Sequence, residues 1–192
     1  MHFHVLSTLA FLGLVTAGGT VFAAKSQATQ RLQVPVVGLD TARGPMIERT
    51  LRELTSKGET PEKLLAEVAI DVEKGLVQLV VADGQKLRLE QVERALVANG
   101  TRILRDKFAL GEAHLMLEGQ ADDAALDKLR QALNSGLFAS AEVRREGEPA
   151  RVVVHVRSGD EPATLEAASK AVREAVPALR VSDVVWSRAK PQ

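Results

Sequence analysis

Val68-Ala69-Ile70-Asp71-Val72-Glu73-Lys74-Gly75-Leu76-Val77-Gln78-Leu79-Val80-Val81 reads as two strands and a turn. Val68, Ile70 and Val72 alternate with Ala69 and Asp71, the period of a half-buried strand. Glu73-Lys74-Gly75 breaks the run. Val77, Leu79 and Val81 then resume it, so the two strands form a hairpin. Upstream, Gln33 to Val37 is strand-like and is interrupted by Gly38 and Asp40. Pro45 suits the first turn of a helix, and Ile47, Leu51 and Leu54 recur on one helical face. Downstream, Leu89, Val92 and Leu96 give a second helix that stops at Asn99-Gly100. Ile103 to Phe108 is the next strand.

The same order runs again. Ala113, Leu115 and Leu117 alternate in a strand. Asp122 is placed to cap a helix carrying Leu126, Leu129 and Leu133. Ala139 to Arg145 and Arg151 to Arg157 form a hairpin around Glu146-Gly147-Glu148-Pro149. Leu165, Ala168, Val172 and Ala175 line a helix stopped by Pro177, and Val181 to Trp186 closes the copy. Each copy has two helices and four strands, each with one apolar face. A four-stranded antiparallel sheet with both helices on one side buries all of those faces. The expected fold is therefore α+β, with two tandem ferredoxin-like βαββαβ units over residues 32–108 and 112–189. The connection Ala109-Leu110-Gly111 is so short that the units should touch.

Composition bounds the chemistry. The 192 residues include five Phe, one Trp and no Tyr, so the core must be built from Val, Leu, Ile and Ala. The 25 basic residues balance the 25 acidic ones, which gives no surplus for nucleic acid. The absence of cysteine excludes disulfides, thiolate catalysis and a lipid anchor on cysteine. Residues 1–24 contain no charged side chain and are mostly apolar from Val5 onward. They read as an export signal with a cleavage site after Ala23. The rival reading is a membrane anchor over residues 5–24, since roughly 20 apolar residues can span a bilayer. Residues 25–31 read as a polar linker. The expected location is periplasmic or secreted, with the membrane touched only through an uncleaved N-terminal segment.

The hairpin Val68–Val77, followed by Leu89-Glu90-Gln91-Val92, Ala95-Leu96 and Asn99-Gly100, resembles the heavy-metal-associated domain family. That family binds soft cations through two cysteines in the loop between its first strand and first helix. The resemblance implies a ferredoxin-like fold and metal ion binding. The matching loop here is Gly38-Leu39-Asp40-Thr41-Ala42-Arg43-Gly44, with Thr41 and Gly44 where the cysteines would stand. Neither residue type replaces a thiolate. The resemblance therefore implies a metal-handling ancestry with the thiolate site lost. The second copy has Gly119-Gln120-Ala121-Asp122-Asp123 at the equivalent place, again without cysteine.

His114 and His155 are the histidines outside the N-terminal segment. Alternation puts His114, Met116, Val153 and His155 on the sheet face away from the helices. The first and third strands of this plan are central neighbours, so the two imidazoles share a face. With Met116 they could hold a copper or zinc ion, while the plainer reading is of strand residues that bind nothing. Arg43 sits where an anion could be held at a helix start, and the plainer reading is a solvated loop arginine. Asp122-Asp123 reads as helix capping. Trp186 reads as filler between the units. No nucleophile–base set, phosphate loop or dinucleotide fingerprint is present, so the chain is expected to be a non-catalytic binding module. The alternative is an envelope protein–protein interaction or scaffold module without metal, and a small hydrolase is the third reading.

Overall fold

The structure is a computed structural model that describes residues 31–147 and 151–189. The export or anchor segment, most of the linker and the Glu148-Pro149 part of the second hairpin lie outside the described residues. The chain is α+β, with four helices and two antiparallel sheets. Among the described residues no helix is long and apolar enough to cross a membrane.

In the first half, strand β1 (Arg31–Val37) leads into helix α1 (Arg43–Arg52). Strands β2 (Leu65–Asp71) and β3 (Leu76–Val81) follow as the hairpin. A short strand β4 (Lys86–Arg88) precedes helix α2 (Leu89–Ala98), and β5 (Arg102–Ile103) ends the half. The second half runs β6 (Glu112–Glu118), α3 (Asp123–Asn134), β7 (Ser140–Glu146), β8 (Arg151–Arg157), α4 (Leu165–Ala175) and β9 (Arg180–Ser187). The first sheet has the order β2-β3-β1-β5 and the second β4-β9-β6-β8-β7.

Local chemistry sets these boundaries. Asp122 and Thr164 accept the third backbone N–H of α3 and α4 at 2.8 and 3.2 Å, an arrangement that satisfies otherwise orphaned donors. Gln91 reaches back to accept the Arg88 N–H at 3.1 Å at the start of α2. Gly100 takes φ +72° just after α2, as a helix-terminating glycine should. The helices each bury one apolar stripe: Ile47 and Leu51 in α1, Val92 and Leu96 in α2, Leu126, Leu129 and Leu133 in α3, Ala168 and Val172 in α4.

The strand expected over Ile103 to Phe108 is reduced to two residues, Arg102–Ile103. The cause is Pro35. Leu104 donates its N–H to Pro35 O at 2.9 Å, but proline has no N–H to return, so the ladder stops there. The chain then turns, with Lys107 N–H on Leu104 O, and carries Phe108 away from the first sheet. Phe108 meets Trp186 at a ring-centroid distance of 5.5 Å, and both are almost fully buried. The Trp186 indole N–H donates to Leu110 O at 3.1 Å.

Strand β4 has no counterpart in the sequence reading. It belongs by sequence to the first half and pairs with β9 of the second, Leu87 opposite Trp186. Beside it, Asp183 is buried and accepts from Arg88 Nε at 2.6 Å and from the Glu90 N–H at 3.2 Å. The buried apolar residues of both halves form one continuous cluster. The halves thus meet through a strand, an ion pair and a shared core.

Candidate functional site

The loop from Gly38 to Gly44 is closed by its own side chains. Asp40 Oδ1 accepts the N–H groups of Ala42 and Arg43 at 3.1 and 2.8 Å, so it caps α1 from two residues before the cap position. Arg43 donates from Nη1 to Gly38 O at 2.8 Å and lies 3.5 Å from Asp40 Oδ2. Thr41 is exposed at the turn. Gly44 is buried in the first turn of α1, where an added Cβ would lie 3.4 Å from an Ile70 methyl and 3.5 Å from a Val72 methyl. The two positions that match the family's cysteines are therefore not brought to a shared centre by any ligating atom. Arg43 is tied to the loop by that hydrogen bond and by Asp40.

The loop of the second half is closed in a related way. Asp122 caps α3, and Arg145 from β7 bridges to Asp123 at 3.0 Å and donates to Ala121 O at 2.7 Å.

His114 and His155 do come together. They are direct partners in the β6–β8 register, and Met116 faces Val153 in the pair two residues along. The rings lie 4.6 Å apart, centroid to centroid, at an interplanar angle of 16°. His155 Nε2 is 3.4 Å from Glu112 Oε1. Both rings are half-buried. Burial pushes the His114 imidazole below its ordinary range, and the neighbouring His155 and Lys86 push the same way, against Glu146 and Glu112. His114 is thus held neutral near pH 7, the state in which an imidazole nitrogen can bind a metal.

Stacked rings do not converge on one point. An imidazole nitrogen directs its lone pair in the ring plane, with metal–nitrogen distances of about 2.0–2.1 Å. Two nearly parallel planes give no common position at that distance, so chelation requires one ring to rotate. Among the described residues, no cluster of three or more His, Cys, Asp or Glu is arranged to hold a metal ion.

The face that carries the pair is not fully open. It forms the floor of a groove of about 640 Å3, with His114, Met116, Val153 and Val185 beneath. The far wall belongs to the first half and carries Lys57, Lys86, Arg88 and Arg94. Sequence reasoning placed the floor residues on one face, and it missed the wall. Asp183, Arg88 and the groove's lysines have no motif to mark them. The one available signal was the short connection at 109–111, which brings the halves close. No protein-family model matches the chain, and no curated protein matches it.

Proposed function

We propose that the protein is an exported, non-catalytic binding module built as two tandem ferredoxin-like βαββαβ units. The first unit resembles the heavy-metal-associated domains with the thiolate site lost. The strand orders support the tandem plan: in each half the first strand lies between the third and the last, and the second strand is at an edge. The observation that carries the binding reading is the His114–His155 pair, stacked at 4.6 Å, with His114 on the floor of the groove. Any residual metal capacity belongs to this pair with Met116 and not to Thr41 or Gly44.

Two imidazoles leave a four-coordinate shell incomplete. Tight copper(I) or mercury binding is not expected, because no thiolate is present. Copper(II) or zinc should bind weakly, after rotation of one ring, and should fade as pH falls and protons compete for the imidazole nitrogens. Isothermal titration of copper(II) and zinc into untagged protein tests this. Replacing both His114 and His155 with Ala should abolish the signal, and Thr41→Ala should leave it unchanged. Tight binding that survives the double replacement would refute the site.

The alternative is a protein-interaction or scaffold module without metal. It is favoured by the parallel stacking of the rings, which suits a contact surface better than a chelate. The export reading is checked by the mature N-terminus, which should lack residues 1–23. A full-length chain in salt-washed membranes would instead establish the anchor.

A further inference from the structure

We propose that the groove between the halves receives an extended acidic segment of a partner protein. Its apolar side chains would rest on Met116, Val153 and Val185, and its carboxylates would meet Lys57 and Lys86. This rests on reading the chain as a binding module and is independent of the metal.

Charge decides the ligand class. Of the four cations on the wall, Arg88 is engaged by Asp183 and Arg94 by Glu90, each at 2.6 Å. Lys57 and Lys86 have no ion-pair partner among the described residues, and both are exposed. Glu146 is the remaining acid of the lining. The groove therefore offers two uncommitted ammonium groups above an apolar floor. The two lysines come from separate elements, Lys57 from the connection before β2 and Lys86 from β4. Cations spread along a wall suit a chain with several spaced carboxylates better than one anionic head group. An extended peptide also alternates its side chains between two directions, which matches an apolar floor with a basic rim. A nucleic acid strand fits poorly, because no Phe, Trp or Tyr lines the groove to stack a base.

The test is fluorescence anisotropy with a labelled hexapeptide of alternating Glu and Leu, at low salt and with a chelator present. The full chain should bind it. Lys57→Glu combined with Lys86→Glu should raise Kd by about tenfold, while Lys128→Glu on α3 should leave it unchanged. The proposal is overturned by an absence of binding, by equal binding of a labelled hexapeptide of alternating Lys and Leu, or by an equal loss with Lys128→Glu. Binding to anionic lipid vesicles with the same lysine dependence would overturn it as well. A failed metal titration would leave this result untouched, and a failed peptide titration would leave the metal reading untouched.

Discussion

Gly38 and Gly119 occupy the same place in the two halves, directly after the first strand of each. Both have positive φ, +86° and +127°. At each, an added Cβ would run into a backbone carbonyl of the segment that follows the second helix. The distance would be 2.9 Å to Gly100 O in the first half and 1.9 Å to Ala178 O in the second. Two loops with different sequences have thus settled on one steric solution, in which the chain after the second helix lies against the start of the first loop. The difference lies in what borders it. In the first half the Arg43 guanidinium is 3.7 Å from the Gly38 position, and in the second Leu179 is 3.2 Å from the Gly119 position. Beyond the shared backbone contact, one loop is bordered by a polar side chain and the other by a buried apolar one. The halves also close their sheets unequally, with two residues in β5 and eight in β9. The second half is the more complete, and it is completed partly by β4 from the first.

That asymmetry can be broken most forcefully at Trp186. It is 2 % exposed and joins β9 to Leu87 and Phe108 of the first half and to Leu110 of the connection. Trp186→Ala should cost about 3–5 kcal/mol, as large-to-small changes in buried aromatics do. Because the core is continuous across both halves, the wild type should unfold in one urea transition, coincident by tryptophan fluorescence and far-ultraviolet circular dichroism. The variant should keep one transition at a lower midpoint. Two separated transitions would show that the halves are energetically independent despite the shared strand.

The glycine pair sharpens the comparison at a smaller scale. Gly119→Ala forces a contact at 1.9 Å with backbone and should cost about 3 kcal/mol or more. Gly38→Ala meets a carbonyl at 2.9 Å. That contact is also with backbone but is a full ångström longer than the one at Gly119, so a smaller loss of about 1–2 kcal/mol is expected. The ranking is read from urea midpoints. Equal losses would mean that the two loops are equally rigid.

Much of this was legible in the residues. Leu126, Leu129 and Leu133 at helical spacing behind Asp122 give α3, and its cap and buried stripe appear where the pattern puts them. The His114–His155 contact follows from two short-range facts, strand alternation and the neighbouring of first and third strands, and the register makes them direct partners. What was not legible depends on longer range. Ile103 to Phe108 has strand-like composition, but the missing N–H of Pro35, nearly seventy residues earlier, ends its ladder. Strand β4 is three residues long and too short to show a period. It becomes a strand only because β9 offers a free edge. The groove is invisible for the same reason, since its floor and its wall come from different halves.

The smallest expected effect is the acid sensitivity contributed by His114. Burial, the adjacent His155 and Lys86 lower the affinity of its imidazole for a proton in the folded chain, and Glu146 and Glu112 oppose them only in part. In the unfolded chain the same group titrates near about 6.5. Between that value and the lower folded one, the unfolded chain holds a proton that the folded chain does not. Stability is then fully present above the unfolded value and falls as pH drops through this window. Asp71 works in the same direction at lower pH. The Lys74 N–H and side chain hold its carboxyl below the usual range, so its contribution is lost only in stronger acid. Urea midpoints at pH 7.5 and pH 5 isolate the histidine. The drop between them should be smaller in His114→Gln than in the wild type. His155→Gln should also shrink it, by removing the neighbour that helps keep His114 neutral. An undiminished drop in His114→Gln would mean that the stacked pair is solvated freely enough to titrate alike in both states.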